Sequence, residues 1–71
     1  NDASVLIDTR QSLKLILDVV DIQGRIVGSQ ELVTQPGSNR VELGVQYLSA
    51  GIYSLVVRNE KGIMTRKLIK H

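Results

Sequence analysis

Apolar residues recur at every second position along much of the chain, which is the spacing of β-strands rather than of helices. The alternation is clearest over residues 13–19 and 40–45, where one side is aliphatic and the other is polar. Each strand is therefore expected to have one buried and one solvent-facing side, with Asp18 and Glu42 facing solvent. The residues predicted to form the core are Leu15, Leu17, Val19, Val41, Leu43, Leu55 and Val57.

The alternation changes phase after Val19, because Val20 and Ile22 are both apolar. A slip of one residue would turn every later side chain to the other face, so we predict a β-bulge near Val19 and Val20. The alternative is that this strand is covered on both faces, as a central strand of a sandwich is. On the return strand, Ile26 and Leu32 are expected to share one face.

Segments rich in turn-forming residues separate the strands. Residues 21–24 and 59–62 each end in glycine, which predicts hairpin turns with positive φ at Gly24 and Gly62. Residues 34–39 form the clearest break, with a proline and a glycine at the two central positions of a turn. The residues predicted to form turns are Asp21, Gly24, Pro36, Gly37, Asn39 and Gly62.

Short turns join the segments of strand character, and no segment has a helical period. This pattern predicts an all-β fold, a small antiparallel Greek-key or Ig-like sandwich of about six to seven strands. A length of 71 residues allows one domain, which is expected to span residues 1–71. Residues 4–9 are either an edge strand or a disordered lead-in. The other predicted strands are residues 13–19, 25–32, 40–45, 51–58 and 63–70.

Composition limits the chemistry that the chain could perform. There is no cysteine for a disulfide or a thiolate metal site, and Tyr47 and Tyr53 are the only aromatic residues. The only histidine is His71, and a chain end is seldom ordered well enough to hold a catalytic base. No loop after Ile22 gathers the several carboxylates that calcium needs. We therefore predict a domain that is not an enzyme and that holds no metal and no cofactor.

The distribution of charge is less even than its total. The net charge of +2 is too small to indicate a nucleic acid partner. Beyond residue 57, however, five basic residues stand against the single acid Glu60, a balance of +4. These basic residues are Arg58, Lys61, Arg66, Lys67 and Lys70. They form either a solvated strand face or a docking patch for an acidic partner.

No segment is apolar over the roughly 20 residues that a membrane-spanning helix needs. The first residues lack the basic and apolar regions of a signal peptide, and the chain opens on Asn1. We therefore expect a part of a longer protein or a processed product.

Four motifs occur in a fixed order. Residues 21–27 combine an Asp-x-x-Gly turn with a basic residue and an aliphatic one, and residues 37–39 read Gly-x-Asn. Residues 48–53 read Leu-x-x-Gly-Ile-Tyr, and residues 67–70 read Lys-Leu-Ile-Lys. This order resembles the type A C-terminal sorting domain of type IX secretion cargo in Gram-negative bacteria. Members of that family usually begin with a Pro-Asn-Pro segment, where this chain has only residues 1–3, so the resemblance leaves the start of the domain open.

The resemblance implies that the chain is the C-terminal domain of a secreted precursor and performs no chemistry. The covalently linked N-terminal cargo would reach the periplasm through an ordinary signal peptide. The outer-membrane translocon would then recognise the domain and carry the cargo to the cell surface, where a sortase removes the domain and joins the cargo to lipopolysaccharide. The residues expected to contribute to recognition are Gly51, Ile52, Tyr53, Arg66, Lys67, Leu68 and Lys70.

Two other classes of function are compatible with a small sandwich. An adhesion or carbohydrate-binding module would need an exposed aromatic platform or a calcium loop, and a structural spacer could sit anywhere in a longer protein. The edges of the sheets add one expectation. If residues 4–9 form an edge strand, Val5, Leu6 and Ile7 follow one another with only Asp8 to protect them, which favours a homodimer or a strand swap.

Overall fold

The computed structural model describes residues 3–71, which form six strands and no helix. The strands are β1 (Ala3–Thr9), β2 (Lys14–Val20), β3 (Ile26–Val33), β4 (Gly37–Leu43), β5 (Gly51–Asn59) and β6 (Gly62–Lys70). The all-β prediction is confirmed, and the segment at residues 4–9 belongs to a strand. No helix in this part of the chain has the length and apolarity needed to cross a membrane.

The strands form two antiparallel sheets of unequal width. One sheet has the order β1-β4, and the other has the order β3-β2-β5-β6. The chain changes sheet after β1, β3 and β4, whereas β2-β3 and β5-β6 are hairpins within the wider sheet. This arrangement confirms the predicted small antiparallel sandwich. Because two strands face four, the narrow sheet cannot cover the whole inner face of the wide one.

The core lies between the sheets and is almost entirely aliphatic. Its buried members are Leu15, Leu17, Val19, Val41, Leu43, Val45, Tyr53 and Leu55. Six of the seven predicted core residues are among them. The seventh, Val57, packs against the core but is only partly buried. It pairs with Met64 of β6, the strand that the narrow sheet leaves uncovered.

The predicted bulge is present where β2 pairs with β3. Val19 lies opposite Gly28 and Val20 lies opposite Ile26, so Val27 is the extra residue. The bulge turns Val27 toward the core and leaves Ile26 60% exposed. The expectation that Ile26 shares the inner face with Leu32 is therefore wrong, because the extra residue Val27 lies near the start of β3 and turns the first residue of that strand outward.

Asp18 does not face solvent as predicted, because it is only 5% exposed. It lies on the outer side of β2, between Ser29 of β3 and Val56 of β5. Its carboxylate accepts hydrogen bonds from the Ser29 hydroxyl at 2.7 Å and from Arg58 Nε at 3.2 Å. A strand with neighbours on both sides is covered by their side chains, which local alternation does not show. Glu42, on the edge strand β4, is exposed as predicted.

Two turn assignments also change. Gly62 does not have a positive φ. Instead, the Asn59 side chain accepts hydrogen bonds from the amides of Lys61 and Gly62 and closes that turn. Strand β4 begins at Gly37 rather than at residue 40, because its first residues already pair with the end of β1.

Candidate recognition surface

The seven residues predicted to contribute to recognition all lie on β5 and β6, which form one hairpin. The register pairs Gly51 with Lys70, Tyr53 with Leu68, and Leu55 with Arg66. We call residues 51–70 the terminal hairpin. The sequence separates its two motifs by more than ten residues, and antiparallel pairing brings them side by side.

The outer face of the terminal hairpin carries an exposed aliphatic pair beside a cation. Ile52 lies opposite Ile69, and each is about half exposed. The next outward pair is Ser54 with Lys67, and Lys67 is exposed. This face therefore offers an apolar contact and a positive charge at adjacent outward positions, a combination that a protein partner can bind.

The inner face of the hairpin combines buried and exposed groups. Tyr53 is buried, and its hydroxyl donates a hydrogen bond to the Ser49 carbonyl at 2.6 Å. This bond ties the loop before β5 to the core, so Tyr53 shapes the hairpin rather than presenting its ring to a partner. Leu68 is partly buried beside it, whereas Arg66 is exposed.

The basic residues near the C-terminus do not form one patch. Arg58 is bound to Asp18, while Arg66 and Lys67 point to opposite faces of β6. Within residues 3–71 neither Arg66 nor Lys67 has an ion pair or a side-chain hydrogen bond. Lys70 is partly buried and takes part in an interaction, so it is less solvated than Lys67. The local excess of charge is therefore spread over several positions of the terminal hairpin.

The predicted Asp21 turn is built as the sequence indicated. Gly24 has a φ of 86°, and its amide donates to the Asp21 carbonyl at 3.0 Å. The Asp21 carboxylate accepts bonds from the amides of Gln23 and Arg25 and from the Arg25 guanidinium, each at 2.9 Å. The Arg25 amide is the main reason that the pKa of Asp21 lies below its ordinary value of 3.8. The geometry of this tight turn thus depends on an ionised carboxylate.

The second turn motif is held by a side chain rather than by backbone bonds alone. Gly37 has a positive φ of 105°, as expected of the residue after Pro36. Asn39 lies in β4, where its side-chain nitrogen donates to the carbonyls of Gln35 at 2.8 Å and Ile7 at 3.1 Å. Asn39 therefore joins this loop to β1, because its side-chain amide donates to carbonyls in both segments.

Three residues that the sequence interpretation did not single out also shape the fold around the hairpin. Thr34 is fully buried, and its hydroxyl accepts the Leu13 amide at 2.9 Å. Tyr47 closes one side of the sandwich, and Asn59 closes the β5-β6 turn. Asn59 lies in a segment that the sequence marks as a turn, so its role could have been found there. The contacts of Thr34 and Tyr47 join segments about 20 residues apart, and no local pattern indicates them.

The described residues hold no group of three or more side chains suited to a metal ion. The fold and the hairpin instead define a small β-sandwich module whose distinctive features are turns and one paired set of strands. A scan against protein families matches the chain over residues 2–71 to the secretion system C-terminal sorting domain. The chain belongs to this family, that of type IX secretion sorting domains. No curated protein and no solved structure matches it significantly.

Membership of the family fixes the general role of the chain. It is a C-terminal sorting domain, a tail that the secretion system handles together with the cargo protein that bears it. Such a domain implies export to the cell surface or the surrounding medium.

Proposed function

We propose that this domain is a folded export signal that the outer-membrane translocon recognises through the terminal hairpin, and that a surface sortase removes it after transport. The observation that carries the proposal is the family match over nearly the whole chain. Its role is recognition rather than catalysis, since the surface offers turns, strand edges and isolated charges.

The outer face of the terminal hairpin supports this role. Ile52 and Ile69 are exposed side by side, although burial of two such side chains would stabilise a thin core. Lys67 beside them is exposed and has no partner within residues 3–71. An apolar pair next to a positive charge gives a partner both affinity and orientation.

The family role also requires a folded tail. Residues 3–71 bury eight apolar side chains in one cluster between the sheets. Loss of β6 would remove a partner strand from β5 and expose Tyr53 and Leu55, so deletion of this strand would unfold the domain as well as remove the signal. Single exposed side chains are therefore the informative sites for mutation.

The test is to fuse the domain to a secreted reporter and to measure surface display together with thermal stability. Lys67→Glu should leave the melting temperature nearly unchanged, because surface substitutions usually alter stability by less than about 0.5 kcal/mol. It should nevertheless retain the reporter in the periplasm. Arg10→Glu is the matched control, since Arg10 is also exposed, lies in the loop after β1 and undergoes the same change of charge. Equal display of both folded variants would contradict recognition through Lys67.

Removal of the domain is tested separately. The reporter released at the surface should be shorter than its periplasmic form by the mass of the domain, 7.8 kDa for these 71 residues. Mass spectrometry of the surface form checks this. A surface reporter that still contains residues 3–71 would show that export does not require cleavage.

A further inference from the structure

One side of the sandwich lacks a strand. On the wide sheet, the inner face of β6 presents Met64, Arg66 and Leu68, which pair with the inward residues of β5. Met64 is 53% exposed, Arg66 is exposed and Leu68 is only partly buried. Because β1 is the last strand of the narrow sheet on this side, no strand within residues 3–71 covers β6.

The opposite side of the sandwich is closed. There the Tyr47 hydroxyl donates to the Val27 carbonyl at 2.8 Å, and the Gln30 side chain reaches the Glu42 carbonyl at 3.4 Å. The cavity left between β3 and β4 measures only about 80 Å³. The two sides of the sandwich are thus built differently. Side chains close the β3-β4 side and the β6 side stays open, so the small size of the sandwich does not by itself explain the gap beside β6.

The open side forms a groove between β1 and β6. Its larger part has a volume of about 480 Å³ and is lined by Val5, Leu6, Leu55 and Leu68 among others. A second part of about 220 Å³ continues it past Val57. Aliphatic and polar side chains both line the groove, with Arg66 in each of its two parts.

The backbone at this groove has a strand edge to which one more strand can pair. β1 pairs only with β4, so its other edge has no strand partner within residues 3–71. A strand added there would lie about 4.8 Å from β1 and about 10 Å above the wide sheet, which is the position over β6. It would extend the narrow sheet to three strands and cover the inner face of β6.

The charges of the groove indicate what that strand should carry. Along β6 the inward order is apolar, basic, apolar, with Arg66 between Met64 and Leu68. Arg66 has no ion pair within residues 3–71, and Lys67 and Arg40 also line the groove. Arg40 is already bound to Glu42 at 3.1 Å. An acidic side chain with an aliphatic residue two positions before and after it would match this order.

We propose that the groove between β1 and β6 binds an extended segment of a partner protein, which adds a strand to β1 and places an acidic side chain against Arg66 between two aliphatic ones. Backbone hydrogen bonds supply affinity in this mode, and the alternate side chains supply specificity. The inference rests on the proposed function, since it assigns a second contact with the secretion machinery.

A second copy of the domain fits the groove less well. Its β1 would direct Val5 and Ile7 inward, while Asp8 lies on the outer side and is bound by the Ser38 hydroxyl. No acid would then meet Arg66. Antiparallel pairing of two β6 edges centred on Arg66 would place its guanidinium opposite that of the other copy. Formation of a homodimer through exposed strand edges remains a prediction, and sedimentation tests it separately.

The test uses the purified domain and a synthetic peptide of about seven residues, the length of an ordinary strand. It has Glu at its centre, Val two positions to either side and Ser at the remaining positions, and we call it the Glu-Val peptide. Binding should protect backbone amides of β1 from hydrogen exchange and should weaken as salt concentration rises. A peptide with Lys in place of Glu should bind at least about tenfold more weakly. A Glu-Val peptide with alternate N-methylated amides should not bind, because it cannot form the ladder.

Variants of the domain separate the groove from its surroundings. Arg66→Glu should lower the affinity for the Glu-Val peptide by about tenfold or more, whereas the exposed Arg10→Glu should change it by less than about twofold. Arg66→Met keeps an extended side chain without charge and should remove the preference for Glu over Lys while the domain stays folded. Equal binding of both peptides to the native domain, or protection at β3 and β4 instead of β1, would overturn the proposal.

Two further readouts distinguish this inference from the proposed function. Sedimentation of the native domain shows whether a second copy occupies the groove, and a dimer that the peptide dissociates would overturn the assignment to an acidic partner. Surface display of the Arg66→Glu fusion tests the link to export. Normal display of a variant that no longer binds the peptide would refute the contact with the secretion machinery and leave the export function intact.

Discussion

The Thr34 hydroxyl is expected to link the end of β1 to the paired ends of β2 and β3. Thr34 follows β3 and is fully buried, and its Oγ1 accepts the Leu13 amide at 2.9 Å. Its own amide donates to the Leu13 carbonyl at 2.8 Å, and the Thr9 hydroxyl approaches Oγ1 at 3.4 Å. Thr34→Val keeps the size of the side chain and removes the oxygen, so the Leu13 amide loses its acceptor.

The expected cost follows from that unpaired amide. A buried donor without a partner costs about 1–3 kcal/mol. A domain of this length has a total stability of about 4–10 kcal/mol. Each kcal/mol shifts the melting temperature of a small domain by about 4–8 °C, so Thr34→Val should lower it by about 5–20 °C. Thr34→Ser keeps the acceptor and loses one methyl group, at a cost of about 1 kcal/mol.

Thermal and urea denaturation followed by circular dichroism measure both variants. Amide exchange at Leu13 is the local readout, and it should accelerate in Thr34→Val more than in Thr34→Ser. A Thr34→Val domain as stable as the native one, or less affected than Thr34→Ser, would show that packing rather than the hydroxyl fixes this junction.

Three further predictions concern single contacts. The pKa of Asp21 lies below 3.8 in the fold, chiefly through the Arg25 amide, so its stabilising contribution is complete above the unfolded pKa and is lost as pH falls through the lower folded value. Asp21→Asn should therefore reduce the dependence of stability on pH below about 4, as measured by urea denaturation across pH. Arg58→Met should destabilise the domain by about 1–3 kcal/mol, because it leaves the buried Asp18 carboxylate with only one partner in place of two. Gly28→Ala would place a Cβ 2.5 Å from the Tyr47 hydroxyl, so it should displace that ring and increase the exchange of the neighbouring loop amides.

The strands were predictable because their signal is local. Alternation along β2 and β4 reports which side chains face inward, and a thin aliphatic core leaves few alternative registers. The phase change after Val19 likewise identified the bulge, since a register error would reverse every following residue. It did not identify the strand that carries the extra residue, because either Val19 or Val27 could restore the pairing.

The burial of Asp18 and the open groove depend on which strands become neighbours. Asp18 is covered by side chains from both flanking strands, and that coverage follows from its central position in the wide sheet. Arg66 appears in the sequence as part of a basic run, whereas its inward direction follows from pairing with Leu55. Sequence patterns thus named the residues of the proposed recognition surface, and strand pairing determines how those residues are divided between two faces.

The unequal sheets also reconcile two requirements of an export signal. The domain must expose a strand edge and apolar side chains if a partner is to extend its sheet, and the same features favour aggregation before the partner is met. An inward-pointing charge on the edge strand addresses both requirements, because Arg66 opposes pairing with another β6 and attracts an acidic segment. The β3-β4 side needs no inward-pointing charge, since Tyr47 and Gln30 already close it. The unequal sheets therefore account for the open groove, and under the proposed mode of binding the position of this one cation favours a foreign acidic strand over a second copy of the domain.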